Sequence, residues 1–275
     1  MMRIRQINIF GNNKTRDNVI RREIRVDEQD VIDTQSLKRS FQRLNNLNFF
    51  ETVEILPDKV SADKVDLNVR VKEKPTGQFS LGGGFSSLDR LMAIANITEG
   101  NIGGYGYMGR ISGQLGQRRS LGSITLRNPY VNDSLTSLQL DIYRSMTNYL
   151  TFFESRTGAS VTVGRWLSEY NSGSISLFGE ELNYRSPARG VCEAIREFCD
   201  DLLGHQSTTG VRIHGFRDTR DYYLDPRSGW RIGGGVDIGT PLMGGTNNFI
   251  KYSADVIKVT SLPFDMRLSL RGRFG

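Results

Sequence analysis

Ser134-Leu135-Thr136-Ser137-Leu138-Gln139-Leu140-Asp141-Ile142-Tyr143-Arg144 decides the fold class. Thr136, Leu138, Leu140 and Ile142 fall on one side of an extended chain; Ser137, Gln139, Asp141 and Tyr143 fall on the other. Side chains alternate across a strand, so the segment predicts a strand with one apolar and one polar face. The pattern recurs at 248–258, where Ile250, Tyr252, Ala254 and Val256 oppose Lys251, Ser253 and Asp255. At 264–274, Phe264, Met266, Leu268 and Leu270 oppose Asp265, Arg267, Ser269, Arg271 and Arg273. Further segments lie near 78–85, 91–99, 105–115, 119–127, 156–166, 172–184, 208–218 and 229–238, eleven in all. Each has the roughly 9–11 residues that a tilted strand needs to cross a bilayer.

Alternation alone also fits a soluble β-sandwich, whose outer faces are polar. Two features favour a membrane barrel. The segments exceed the roughly 5–6 residues usual for soluble strands. The turns also differ in kind on the two sides: the longest insertion, Arg185 to Gln206, is on the side away from the amino-terminal region. Outer-membrane barrels carry their long loops on one side. Within it, residues 189–199 read as a short surface helix.

Composition sets the outer limits. The 275 residues are 37% apolar and 24% charged, ordinary for a folded chain. Mean hydropathy is −0.39 and the apolar runs are short, so no helix of about 20 apolar residues is expected to cross a membrane. The net charge of +6 is spread along strand-like segments, which argues against a nucleic-acid partner. Cys192 and Cys199 have neither CxxC spacing nor a nearby His pair, which argues against zinc. They read equally as a local disulfide or as two free thiols. The start, Met1-Met2-Arg3-Ile4-Arg5-Gln6, lacks the apolar core of a signal peptide, and an upstream part is expected. Gly104-Tyr105-Gly106-Tyr107-Met108-Gly109 matches GxGxxG but leads into a strand, so no nucleotide site is expected. His205, expected in a loop, and His214, on the polar side of a strand, lack the partners of a catalytic group. No cofactor, metal site or enzymatic constellation is read.

Residues 3–74 have a different rhythm. Arg3 to Phe10 alternates like a strand and stops at Gly11-Asn12-Asn13. Thr15 is the expected cap of a helix carrying Val19, Ile20 and Ile24. A second helix is expected from Asp33 to Asn45, with Leu37, Phe41 and Leu44 at helical spacing. Phe49 to Leu56 and Val65 to Val71 alternate again. The order β-α-α-β-β predicts a small α+β domain over residues 1–75. A polar joint, Lys72-Glu73-Lys74-Pro75-Thr76-Gly77, precedes the all-β antiparallel portion, 76–275.

Specific residues carry a family resemblance. They include Gly11-Asn12 with Thr15, Val19-Ile20-Arg21-Arg22-Glu23, Phe49-Phe50-Glu51-Thr52-Val53 and Val69-Arg70-Val71-Lys72-Glu73-Lys74. Gly82-Gly83-Gly84-Phe85, Gly100-Asn101-Ile102-Gly103-Gly104-Tyr105-Gly106 and Asn128-Pro129-Tyr130 follow. Then come Asp221-Tyr222-Tyr223-Leu224-Asp225-Pro226 and Arg227-Ser228-Gly229-Trp230-Arg231. In this order and spacing they resemble the BamA outer-membrane protein assembly factor family. The resemblance implies a last POTRA domain followed by the first eleven of sixteen strands of a transmembrane β-barrel. The family's inward loop and last strand have no counterpart here, and Gly215-Phe216-Arg217 only looks similar to the loop motif. Because bacterial barrels close with an even number of strands, the eleven are expected to be part of a longer barrel.

The resemblance also implies roles. The protein would insert barrel clients into the bacterial outer membrane, with its POTRA domain in the periplasm. The partners implied are unfolded outer-membrane barrel proteins, outer-membrane lipids, assembly lipoproteins and preceding POTRA domains. Gln78-Phe79-Ser80-Leu81-Gly82-Gly83-Gly84-Phe85 would be the edge at which a client strand is templated, its glycines either weakening a gate or relieving a tight bend. Glu51-Thr52-Val53-Glu54-Ile55-Leu56 resembles the POTRA edge strand, open to an extended peptide or to a preceding domain. Arg267, Arg271 and Arg273 with Asp265 read as a solvated charge ladder or as a dock for the inward loop. A secretion pore of the same superfamily is the second functional reading.

Overall fold

The computed structural model describes residues 2–86, 90–149, 152–185, 204–221, 226–263 and 266–275. Cys192 and Cys199, the helix expected at 189–199, and Asp265 lie outside the described residues. The chain forms two compact units. One comprises Met1–Phe79 with Ile97–Arg110, and the other comprises Ser80–Asn96 with Ile111–Gly275.

The first unit starts with β1 (Arg3–Phe10), α1 (Asp17–Arg21), α2 (Thr34–Asn46), β2 (Phe50–Lys59) and β3 (Lys64–Glu73). The sheet order is β1-β3-β2, with β1 parallel and β2 antiparallel to β3. The central position of β3 follows from its side chains, since Val65, Leu67, Val69 and Val71 are all buried. Ile4 and Ile7 of β1, Val53 of β2 and Leu44 of α2 complete the core with Val19, Ile20 and Phe50. The turn after β1 requires Gly11: its φ is +89°, and a Cβ there would overlap the Val71 carbonyl.

Helix α2 begins where expected. The carboxylate of Asp33 accepts hydrogen bonds from the backbone N–H groups of Gln35 and Ser36, as an N-cap does. Its Phe41 is exposed, and Ser40 instead is fully buried, its hydroxyl accepting from the Arg25 backbone N–H. The first helix departs from expectation. It spans five residues, Ile24 lies beyond it, and Thr15 does not cap it. Arg16 occupies the N-cap position, and Glu73 accepts the backbone N–H groups of Asn13, Lys14 and Thr15, which precede the helix.

The second sheet contains β4 (Gly77–Ser86), β5 (Arg90–Ile102), β6 (Tyr107–Gly116), β7 (Arg119–Asn128), β8 (Thr136–Asn148), β9 (Phe153–Trp166), β10 (Asn171–Arg185), β11 (Gly204–Asp218), β12 (Gly229–Gly239), β13 (Phe249–Ser261) and β14 (Arg267–Phe274). All eleven lie in sequence order in one sheet, so no second sheet covers the apolar rows among the described residues. Leu138, Leu140 and Ile142 of β8, Val161 and Val163 of β9, Ile175 and Leu177 of β10 and Ile213 of β11 are all exposed. The opposite face is polar and internally bonded. Asp141 accepts from Thr125 and Gln139 at 2.8 Å each, and Thr162 meets Ser176 at 2.8 Å. Arg156 lies 3.3 Å from Glu180, which also bonds the Tyr143 hydroxyl. A water-facing surface does not sustain an apolar area of this extent, whereas a lipid-facing one requires it.

Several boundaries differ from the sequence reading. Strands β8 to β11 run to 13–15 residues, longer than a bilayer crossing demands. Pairing between β8 and β9 runs on to Asn148 and Phe153, beyond the segments ending at 144 and starting at 156. Just past that pair, the Tyr149 and Phe152 rings lie with centroids 4.5 Å apart. His205 belongs to a strand and not to a loop, since β10–β11 pairing extends through Asn183 and His205.

Candidate functional site

Outer strands of a sheet can offer unpaired backbone, and the sequence-expected sites fall on two of them. In the three-stranded sheet the outer strands are β1 and β2. The outer side of β1 is occupied. Gln29 donates its backbone N–H to the Ile4 carbonyl at 2.7 Å, and Ile4 donates to Asp30 at 2.9 Å. Further along, the Ile7 N–H donates to the Glu28 carboxylate at 3.3 Å, and Arg21 donates to the Ile7 carbonyl at 3.3 Å. Strand β2 pairs with β3 on its inner side, and Glu51, Thr52, Glu54 and Leu56 are exposed along it. A hydrogen bond and the charge of Lys72, 2.7 Å away, hold the Glu51 carboxyl below its ordinary range. Pro57 lies within β2, in keeping with the confinement of strand prolines to edges.

The second edge is β4, at one end of the eleven-stranded order, with β14 at the other. Residues 78–85 are exposed throughout; Phe79 and Leu81 are 67% and 72% exposed. The glycines have little around them. Among the described residues, a Cβ on Gly82 would meet nothing within 4 Å, and those on Gly83 and Gly84 would touch only Met92. Across β4 and β5, the Asn96 side chain donates to the Ser80 hydroxyl at 3.3 Å.

The start of β4 is crowded by comparison. Thr76, immediately before it, hydrogen-bonds Glu99 through its hydroxyl and accepts the Gly100 N–H at its carbonyl, 3.3 Å away. Lys14 reaches both Thr76 and Glu99, at 3.4 and 3.7 Å. Glu99 accepts the Asn101 N–H at 2.9 Å. The Asn101 side chain, 1% exposed, donates to the Thr15 hydroxyl at 2.9 Å and accepts the Gly106 N–H at 2.8 Å. Glu73 accepts the N–H groups of Asn13, Lys14 and Thr15 at 3.0, 2.9 and 2.6 Å. Burial pushes the Glu73 carboxyl upward, but hydrogen bonds from the Thr15 hydroxyl and these amides outweigh it and hold it below its ordinary value. Arg16 stacks over the Tyr105 ring with its guanidinium carbon 3.5 Å from the centroid. Gly104 has φ +78°, and a Cβ on it would overlap the Lys14 carbonyl.

Sequence reading placed residues 51–56 and 78–85 but missed the network of Glu73, Thr15, Asn101 and Glu99. Its one visible signal was a buried-type polar residue, Asn101, set among the glycines of the 100–106 turn. His214 lies 2.9 Å from Asp237, which Arg212 also approaches at 3.7 Å. Arg267, Arg271 and Arg273 are exposed, and Arg267 donates to the Pro226 carbonyl at 3.3 Å. Among the described residues no three His, Cys, Asp or Glu side chains are grouped to hold a metal ion.

A family model described as the Omp85 superfamily domain matches residues 101–275. The chain belongs to the Omp85 superfamily. A POTRA model, described as the surface antigen variable number repeat, matches residues 2–74 of this Omp85 chain. The chain is 29% identical over 250 residues to the outer membrane protein assembly factor BamA of Nitratidesulfovibrio vulgaris, covering 90% of itself and 31% of that protein. It thus spans about a third of that relative's length. All of the chain superposes on 56% of the crystal structure of Haemophilus ducreyi BamA lacking POTRA domains 1–3, with a TM-score of 0.75 and 21% identity. It also superposes on 53% of CdiB from Acinetobacter baumannii, with a TM-score of 0.62 and 17% identity. The fold is therefore that of a POTRA-type unit followed by an Omp85 barrel sheet.

Proposed function

We propose that the complete protein inserts and folds β-barrel clients into the bacterial outer membrane, with β4 as the templating edge. The carrying observation is an exposed edge strand, residues 78–85, at the end of a sheet whose apolar rows are also exposed. In lipid each unpaired backbone N–H or C=O costs several kcal/mol. An incoming client strand relieves that cost by adding to the edge. No covalent step is involved, and the protein acts as an interaction machine rather than an enzyme.

The chain sits in the outer membrane. Residues 1–75 form the POTRA domain in the periplasm, and residues 76–275 form barrel strands. Its partners are unfolded outer-membrane barrel proteins, outer-membrane lipids, assembly lipoproteins and preceding POTRA domains. Strand β2 is a second docking edge, because the outer side of β1 is already taken by Gln29, Glu28, Asp30 and Arg21.

Replacing Gly82, Gly83 and Gly84 by Val in the complete protein tests the reading. The added Cβ atoms have room, so the substitutions stiffen β4 rather than disrupt it. Client insertion slows on this account; unchanged insertion rates would remove β4 from the mechanism. The likeness to CdiB supports a second reading, a secretion pore of the same superfamily. Several POTRA domains in the complete protein favour the assembly role, and one or two favour the pore.

A further inference from the structure

A template must present its backbone in one register, and a glycine-rich strand cannot fix its own register. A strand's register is specified by side chains that one face must bury, and glycine-rich strands slip. Strand β4 has this weakness at Gly82, Gly83 and Gly84, where a Cβ would meet open space or only Met92. Something else has to hold it.

The root of β4 supplies the hold. Thr76 bonds Glu99 and the Gly100 N–H; Glu99 receives the Asn101 N–H; Asn101 bonds Thr15; and Thr15 bonds Glu73. The chain of contacts is continuous, and its middle members are buried, Asn101 at 1% and Thr15 at 2% exposure. A buried polar network in which each member is satisfied selects one arrangement, since any slip strands a donor or acceptor away from water. A two-residue slip of β4 against β5 would carry Thr76 away from both Glu99 and the Gly100 N–H. The network lies within one compact unit together with β4 up to Phe79, whereas Ser80 onward belongs to the other unit.

We infer that Asn101, Thr15 and Glu73 are positioning residues for the edge strand. They lock the root of β4 in register, so that a client strand is read from that end while the glycine half stays deformable. The inference rests on the proposed templating role of β4 and adds to it a source of register that β4 itself lacks.

The test uses the complete protein in lipid vesicles, with its own cysteines, Cys192 and Cys199 among them, replaced by Ser and one cysteine introduced by Ser80→Cys or Gly82→Cys. The probe is an unfolded eight-stranded outer-membrane barrel carrying single cysteines along its carboxyl-terminal strand. The parent is expected to form one dominant disulfide per β4 position. Thr15→Val and Asn101→Ala are expected to spread the adducts to partners two residues away and to slow insertion at least about threefold. Thr15→Ser, which keeps the hydroxyl, is expected to restore the single register. Amide exchange at residues 77–79 is expected to rise about tenfold in the Val and Ala variants, the loss of one hydrogen bond. This checks that these variants are folded but loosened at the root. An unchanged single register in both variants overturns the positioning role while leaving the templating role standing. No adducts from either β4 position in the parent overturns the templating role itself.

Discussion

At the residue scale, Glu73 links the end of β3 to the chain that follows β1 by accepting three backbone donors. Its carboxyl is held below the ordinary value of 4.5. A group with a depressed folded pKa stabilises fully above its unfolded pKa, and that contribution is lost as pH falls through the folded value. The amides of Asn13, Lys14 and Thr15 are therefore expected to keep their exchange protection from neutral pH to about pH 5 and to lose it below the ordinary Glu range. Exchange protection measured against intrinsic rates checks this, and Glu73→Gln should abolish the pH dependence. At the core, Leu67→Ala should cost about 2–5 kcal/mol, read by denaturant unfolding of the periplasmic unit within the complete protein. Leu67 was legible in the sequence because Val65, Leu67, Val69 and Val71 alternate. Asn101 was not, because its partner Thr15 is 86 residues away and no local pattern reports such a contact.

At the element scale, all eleven strands of the large sheet were legible, because period-two alternation is a property of each strand by itself. Their ends were not. Pairing with β10 starts β11 at Gly204, ahead of the segment near 208–218 that alternation marks. Helix α1 was misread for the same kind of reason. Thr15 turns to distant partners, Glu73 and Asn101, while Arg16 occupies the N-cap position and the helix ends after five residues. In the order β1-β3-β2, β2 is an outer strand with no further strand beside it among the described residues. Photo-crosslinkers at Thr52 and Glu54 in the complete protein are expected to capture extended client segments. Capture of preceding POTRA domains alone would assign β2 to interdomain packing.

At the scale of the whole molecule, the two faces of the large sheet make opposite demands. Leu140 lies on the exposed apolar face, and Gln139 lies on the bonded polar face beside Asp141. Leu140→Arg should cost about 2–4 kcal/mol if it lies near the bilayer midplane. Gln139→Arg should cost far less, and folding titrations into lipid vesicles check the contrast. Both faces were readable from residues 134–144, since in-out alternation survives whether the outside is water or lipid. Which of the two lies outside was settled by the sheet order, which leaves the apolar rows uncovered among the described residues. On the proposed function, this fold lowers the barrier for another barrel to enter the membrane. The most direct measurement places the complete protein in lipid vesicles and follows the folding rate of an unfolded outer-membrane barrel added to them. A large acceleration is expected, which disappears when the open edge of β4 is tied shut by an engineered disulfide and returns on reduction. Ion conductance or passenger export without any acceleration would contradict it and would assign the chain to a secretion pore.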